Sequence, residues 1–482
     1  MEQIDNFLYS DTIVAVATPP GTGGIAVIRI SGPASRSIFA GGWKGRNILT
    51  APPRQALYGN YFSLNGNLID EGIATVFIGP HSFTGEDTVE FAFHGSKWIQ
   101  REIIHDLIQR GARMANPGEF TQRAFLNGRI DLAQAEGVAD LIASSSRAAH
   151  QMALTQTKGS FSKEFSLLRN QLIDFASLLE LELDFSEEDV EFAQRSRLRM
   201  LCDEIQKKVD SLADSYSVGA VIKDGITVVI AGVPNAGKSS LLNQLLKEEK
   251  AIVTDIPGTT RDIIEDTIEL DGILYRFIDT AGLRNTNDVV EGIGVDKARQ
   301  ALKKAHIIIW VIDSTANLDS QLSELKTFKE TEPSSNIIIL YNKSDIIPSS
   351  SAHNEKKNKE IVNNTTKKGK EILKELRLEH IIDYSTVTGK GYDILLKKLK
   401  ELATEGKNLE QDIIVTNGRH YEALIKASKC LSQVKEGLEN SLPADLLAQD
   451  LRQTISFLGE ITGNITTDTL LQTIFSRFCI GK

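Results

Sequence analysis

Cysteine is scarce in this chain of 482 residues: the three present, Cys202, Cys430 and Cys479, stand far apart and at no metal-ligand spacing. That pattern speaks against both a disulfide framework and a structural zinc site. Long apolar runs are missing too, since no stretch of about 18 apolar residues exists to cross a bilayer. The segment MEQIDNFLYSDT lacks the basic start and apolar block of an export signal. A cytoplasmic, unprocessed protein with no membrane partner is therefore the expectation. Positive charge is also in deficit. With 54 Lys and Arg against 64 Asp and Glu the net charge is −10, which argues against coating nucleic acid by phosphate neutralisation and leaves room for a local patch only. The remaining composition, 41% apolar and 24% charged, is that of a globular protein, and the length suits about three domains.

What is present changes texture along the chain. Residues 1 to about 120 alternate apolar stretches with glycine-rich turns, as in TIVAVATPPGTGGIAVIRISG, GIATVFIGP and DTVEFAFHG, and they carry one helical pattern from Lys97 to Gln109. From about Phe125 to Tyr216 glycine thins out, and apolar residues take helical spacing in FSLLRNQLIDFASLLELELDF and RLRMLCDEIQKKVDSLAD. From about Asp224 to Leu402 strands and helices alternate in the manner of a parallel α/β sheet. Helical spacing returns from Asp412 to the end. Two helical blocks flanking an α/β unit suggest an insertion into one helical domain; two separate helical domains are the other arrangement.

The middle unit carries the chemistry. GVPNAGKS, starting at Gly232, fits the phosphate-loop pattern between the apolar run ITVVIA and the helical SLLNQLL. Backbone amides and the helix N-terminus of such a loop hold phosphates, Lys238 reaches the outer ones, and the Ser239 hydroxyl suits magnesium. TTRD supplies Thr260 as a second hydroxyl ligand, and DTAG (Asp279 to Gly282) ends an apolar run where its aspartate can orient a metal-bound water. NKSD (Asn342 to Asp345) follows IIILY, and the Asp345 carboxylate can accept two hydrogen bonds from guanine where adenine offers no such donor pair. STVTG (Ser385 to Gly389) closes the base pocket. The five motifs in this order mark a GTP-binding domain.

Hydrolysis is less plainly written. After DTAG many small GTPases carry a glutamine that orients the attacking water, but this chain has Leu283, which has no hydrogen-bonding side chain. No arginine is fixed by motif as a finger, although Arg261 and Arg284 lie nearby. Glu291, in the polar stretch RNTNDVVEGIG, is a candidate for polarising water; a solvated carboxylate at a helix start is the plainer alternative.

The loop PNAGKS, VTDIPGTTRD, DTAGLR and the terminal FCIGK together resemble the tRNA modification GTPase family MnmE (TrmE). TPPGTGGIAVIRISG, SFTGEDTVEF, PGEFTQRAFLNGRIDLAQAEGVADLI and LGEITGNITTDTLLQTIFSRFCIGK extend the resemblance nearly end to end. It implies a multidomain α/β plus α architecture in four stretches: 1–124, an α+β tetrahydrofolate-binding-like domain that makes a homodimer; 125–218, the first part of an all-α domain; 219–405, an inserted Ras-like GTPase domain; and 406–482, the rest of the helical domain with its terminal CIGK.

The resemblance also implies site residues. GTP contacts would come from Asn235, Ala236, Gly237, Lys238, Ser239 and Ser240, then from Thr254, Asp255, Ile256, Pro257, Gly258, Thr259 and Thr260. Asp279, Thr280, Ala281 and Gly282 would follow, with Asn342, Lys343, Asp345, Ser385, Thr386 and Val387 around the base. Potassium would take the finger's place, held by Asn235, Thr254, Ile256 and Thr259 once two GTPase domains meet, with magnesium on Ser239 and Thr260 and with Glu291 orienting water. Arg29, Glu90, Arg129 and Lys482 match positions that bind 5-formyl-tetrahydrofolate or a related folate. Taken without the family, Arg29 reads as a surface charge and Cys479 as a small packing residue; with it, Cys479 is required for modification. The implied partner is the FAD-dependent, NADH-using MnmG (GidA), in a heterotetramer or larger complex. The implied reaction places an aminomethyl or carboxymethylaminomethyl group on carbon 5 of the wobble uridine of certain tRNAs.

A ribosome-assembly GTPase would share the phosphate loop but usually adds a basic RNA module, absent here. A folate-binding scaffold with regulatory nucleotide binding is the third reading. Two local features depart from the family pattern. The Lys/Asn/Ser-rich stretch near 348–375 reads as a surface insert, with a basic tRNA contact as the sharper alternative. The base loop carries Val387 where many relatives have a basic residue, which suggests modest affinity and fast spontaneous exchange.

Overall fold

The computed structural model describes residues 11–184, 195–248, 265–279, 300–331, 336–346, 376, 378–405, 412–440, 442–476, 478 and 481. It divides into two compact units. The first comprises Met1–Ile142, Leu154–Gln206 and Lys426–Lys482; the second comprises Ala143–Ala153 and Lys207–Ile425. No helix among the described residues is long and apolar enough to cross a membrane.

In the first unit a seven-stranded sheet runs in the order β3-β4-β5-β6-β2-β1-β7. Its strands are β1 (Ile13–Val16), β2 (Ala26–Ser31), β3 (Trp43–Gly45), β4 (Ala56–Phe62), β5 (Leu68–Phe77), β6 (Thr88–Phe93) and β7 (Arg113–Met114). All pairings are antiparallel except β1 with β7. Alternation explains the sheet's buried face: in β4, Leu57, Gly59 and Tyr61 are buried while Ala56 and Tyr58 are exposed. Gly59 is required there, because a Cβ would stand 2.5 Å from the Trp43 ring. Phe39 of helix α1 (Ser35–Ala40), Trp43, Tyr61 and Phe91 form an aromatic core on that face. Helix α2 spans Lys97–Gln109, the range its periodicity predicts, and is capped by the Ser96 side chain accepting from the Trp98 amide. Asp106 on α2 takes hydrogen bonds from the Tyr61 hydroxyl at 2.9 Å and the Leu64 amide at 2.8 Å, which locks helix to sheet.

The first unit continues with α3 (Glu119–Leu126), α4 (Leu132–Ala143) and α6 (Ser160–Asp184), and far along the chain with α12 (Ala444–Thr462) and α13 (Asp468–Phe475), while α5 (Arg147–Thr157), α7 (Arg195–Asp224) and α11 (Gly418–Glu439) each have residues in both units. α12 packs along α6 and α13 against α3. Gln206 donates to Ser428 at 2.8 Å, and Lys435 pairs with Asp203 at 2.6 Å. The all-α part is therefore assembled from two segments distant in sequence.

The second unit holds a six-stranded sheet in the order β13-β12-β11-β8-β10-β9. Its strands are β8 (Ile226–Ala231), β9 (Glu265–Leu270), β10 (Ile273–Asp279), β11 (Ile307–Asp313), β12 (Ile337–Asn342) and β13 (Ile381–Asp383), with helices α8 (Lys238–Glu248), α9 (Leu318–Thr331) and α10 (Tyr392–Thr404). β11 and β12 are buried along their whole length, as continuous apolar runs in a parallel sheet must be. One strand departs from the all-parallel expectation: β9 pairs antiparallel with β10 through the turn Asp271–Gly272 and forms the edge.

One buried charge stands out in the first unit. The Arg123 guanidinium is fully buried among Asp11 at 2.7 Å, Glu119 at 3.1 Å and Glu86 at 3.2 Å. Burial pushes the Glu119 carboxyl up, but hydrogen bonds from Arg113, the Asn116 amide and Arg123 outweigh it and hold Glu119 below its ordinary 4.5. A depressed carboxyl adds stability above its unfolded value, and that stability is lost as pH falls through the folded one. Arg123→Met, which removes the buried guanidinium that three carboxylates share, should cost about 3–5 kcal/mol and move the acid-unfolding midpoint upward. Urea and acid titrations followed by near-ultraviolet circular dichroism check this; a loss below about 1 kcal/mol would contradict it.

Candidate nucleotide-binding site

The phosphate-loop residues sit where an open α/β sheet places a ligand, at the carboxyl ends of its strands. Leaving β8, the chain turns at Gly232, whose φ is 138°. A Cβ there would meet the Val311 carbonyl oxygen at 2.2 Å, so only glycine lets the loop lie this close to β11. Asn235 occupies the left-handed region at φ 63° and is exposed at the turn. Lys238 opens α8 with 6% of its surface exposed, and its ammonium donates to the Gly232 and Val233 carbonyls at 2.9 Å each. That folds the loop back on itself with the α8 N-terminus at its mouth. Ser239 and Ser240 follow, both exposed.

The base side is built by cross-linked loops. Asn342, 1% exposed at the end of β12, donates from Nδ2 to the Ala236 carbonyl at 2.8 Å and accepts at Oδ1 from the Thr386 amide at 3.3 Å. One carboxamide thus joins the phosphate loop to the base loop. Gly237 (φ 99°) completes the fit: a Cβ on it would lie 2.2 Å from Asn342 Nδ2. The Ser344 amide donates to the Tyr384 carbonyl at 3.1 Å, and the Tyr384 hydroxyl donates to Gln244 Oε1 on α8 at 2.9 Å. Fully buried Ser385 accepts at Oγ from the Val387 and Thr388 amides at 3.3 and 3.2 Å and so shapes the base loop. Asp345 is exposed, and Val387 is 82% exposed at the loop's rim.

The structure therefore brings together Asn235, Ala236, Gly237, Lys238, Ser239, Ser240, Asn342, Lys343, Asp345, Ser385, Thr386 and Val387. Asp279 ends β10 beside β8, in register with Ile230. Thr254 through Thr260, Thr280 through Gly282, Leu283, Glu291 and the insert near 348–375 lie outside the described residues, as do Cys479 and Lys482.

A second group gathers in the other unit. Arg29 pairs with Glu90 at 2.8 Å across the β2–β6 register, with side chains 19% and 30% exposed. Its guanidinium lies over the Phe83 and Phe120 rings at 5.2 and 5.6 Å. The exposed Arg129 packs on the same loop, its Cγ 3.2 Å from a Cβ built on Gly85. Gly481 (φ 94°) reaches the end of β1, where a Cβ would stand 2.2 Å from the Val16 carbonyl. Val16 is the register partner of Ile28, next to Arg29.

Sequence reading missed two residues that touch these loops. Gln244 gives no motif signal, because a helix-face glutamine is common. Asp313, which accepts from the Lys343 ammonium at 2.6 Å, had a signal: a lone carboxylate ending the apolar run IIIWVI.

Comparison with known proteins covers both units. Residues 12–129 match the family described as GTP-binding protein TrmE N-terminus, and residues 132–479 match the MnmE helical domain. A tRNA modification GTPase MnmE of Cytophaga hutchinsonii is 48% identical over 479 residues, 98% of either chain. The protein of that description from Parabacteroides distasonis is 47% identical over 488 residues, 98% of this chain and 100% of that one. The one from Christiangramia forsetii is 46% identical over 481 residues, 98% and 99%.

Gly237→Ala tests the loop-to-loop fit. The added methyl displaces the Asn342 carboxamide from its two loops, so affinity for a fluorescent GDP should fall by about a hundredfold, and the strained, unpaired site should also lower the nucleotide-free melting temperature. Wild-type affinity would contradict the geometry.

Proposed function

The chain belongs to the MnmE (TrmE) family of tRNA modification GTPases, and we propose that it is a potassium-activated member acting on carbon 5 of the wobble uridine. It is a GTP hydrolase that works in tRNA modification. The observation that carries the nucleotide reading is the Asn342 bridge, which holds a phosphate loop and a guanine loop in one pocket.

In this reading the loop amides and Lys238 bind the phosphates, while Ser239 and Thr260 would hold magnesium. Asp345 selects guanine through its paired hydrogen bonds, with the Lys343 stem along one face of the base. Asn235 suits a monovalent cation: it is exposed, its backbone conformation is one asparagine tolerates, and a carboxamide oxygen is the donor type a hard cation takes. Potassium, when held by Asn235, Thr254, Ile256 and Thr259, supplies the charge neutralisation that an arginine finger supplies elsewhere. Glu291 orients the attacking water in place of Leu283. Hydrolysis proceeds as the GTPase domains of two copies meet, and the pairing converts nucleotide state into conformational change.

The folate reading rests on the Arg29–Glu90 pair, the neighbouring Phe83, which is 37% exposed, and Arg129 on the same loop. A guanidinium and a carboxylate at a partly exposed edge suit the charged tail and the hydrogen-bond donors of a 5-formyl-tetrahydrofolate or related folate. Lys482 would add a cation; Gly481 against β1 supports this, since it brings the terminal segment to the strand beside Arg29. The domain division 1–124, 125–218, 219–405 and 406–482, the homodimer, the MnmG (GidA) partner and the part played by Cys479 belong to the same proposal.

Turnover in potassium should exceed turnover in sodium by about tenfold or more, and Asn235→Lys should lose that dependence. Mass analysis of tRNA nucleosides from a strain lacking the gene should show the wobble uridine without its carbon 5 substituent. Equal turnover in both salts overturns the potassium reading; unchanged nucleosides overturn the assignment to the wobble uridine.

A further inference from the structure

The apolar strand β11 ends in a carboxylate that no motif requires. Asp313 is 6% exposed. Its Oδ2 accepts from the Lys343 ammonium at 2.6 Å, and its Oδ1 accepts from the Thr315 amide at 2.9 Å and the Thr315 hydroxyl at 2.6 Å. The backbone at this point is clamped as well. The 2%-exposed Gln321 accepts from the Asp313 amide at 2.9 Å and donates to its carbonyl at 3.1 Å. Burial pushes the Asp313 carboxyl up, but hydrogen bonds from Lys343 and Thr315 hold it below its ordinary value, so it stays charged at neutral pH.

Lys343 is the softer member of this pair. It lies between Asn342 and Asp345 in NKSD, its backbone is in the left-handed region at φ 62°, and its side chain is 29% exposed. A lysine that pairs with nothing spreads over many rotamers, and freezing it on ligand binding costs up to about 2 kcal/mol. The strand register sets the two residues side by side: Asp313 is the β11 partner of Asn342, and Ser314 N donates to the Asn342 carbonyl at 3.1 Å.

We infer that Asp313 is a positioning residue for the guanine site: its ion pair pins the Lys343 ammonium so that the stem is already laid out for the base, and it raises nucleotide affinity without touching the nucleotide. This rests on the reading of Lys343 as a guanine-site residue. Selection between bases stays with Asp345, so Asp313 acts equally on GTP, GDP and ITP. Its other contacts, to Thr315, only shape the turn into α9.

Dissociation constants of fluorescent GDP and GTP are measured on the full chain for wild type, Asp313→Asn, Lys343→Met and the double variant. Asp313→Asn keeps the shape and the Thr315 hydrogen bonds but loses the charge. It should weaken both nucleotides by about tenfold and raise KM with kcat within about twofold. In the Lys343→Met background the same change should cost less than about twofold, because the partner through which it acts is gone. Thr315→Val, which keeps the ion pair, should leave affinity within about twofold. Asp313→Ala completes the same cycle if Asp313→Asn does not fold. Unchanged affinity in the Asp313 variants, full additivity in the double variant, or an equal loss in Thr315→Val overturns the inference. Wild-type affinity in Lys343→Met is the separate outcome that removes the guanine-site reading of Lys343, and the inference with it.

Discussion

A single buried carboxamide organises the nucleotide site. Asn342 spends its donor on the phosphate loop at Ala236 and its acceptor on the base loop at Thr386. Both loops otherwise leave separate strands of the sheet, β8 and β13, with no covalent reason to face each other. A buried amide must have its hydrogen bonds met, and here the partners are the two loops themselves. Gly237 follows from the same constraint, since it gives up a side chain so that the carboxamide can approach, while Gly232 answers to the Val311 carbonyl of β11.

The N-terminal sheet solves a different problem with similar means. It carries charges that are only partly solvated, and each has a partner: Arg123 with three carboxylates, Asp106 with Tyr61 and Arg110, Arg29 with Glu90 and two aromatic rings. The first two are locks between elements. Arg29–Glu90 differs, because it lies at a partly exposed edge shared with Phe83, Arg129 and the segment reaching Gly481. Structural ion pairs fill the interior, and the Arg29–Glu90 pair lies at the rim.

Much of this was legible in the residues alone. Phosphate and guanine chemistry demands fixed residue types at fixed spacing, so the loop at Gly232, NKSD and the base loop could be read directly. α2 could be bounded to the residue, because Ser96 caps it and its apolar period is clean. Pairings across long sequence separations were not legible. Nothing local says that Arg123 is buried, that Asp313 meets Lys343, or that Gln244 meets Tyr384 across 140 positions. The antiparallel edge strand β9 was likewise hidden, since Glu265–Leu270 carries the alternation of any half-buried strand and only its short turn to β10 fixes the direction. Family resemblance implied roles for Thr254, Ile256, Thr259 and Lys482, which residue chemistry left open, and favoured one of the two readings of Glu291.

Asn342 assembles the pocket before nucleotide arrives, and amide hydrogen exchange on the nucleotide-free protein tests this. Protected amides are expected at Thr386, Val387 and Thr388, with that protection lost in Asn342→Ala while β11 and β12 exchange as slowly as before. Base-loop amides that exchange alike in both proteins would show that the carboxamide does not hold the loops together.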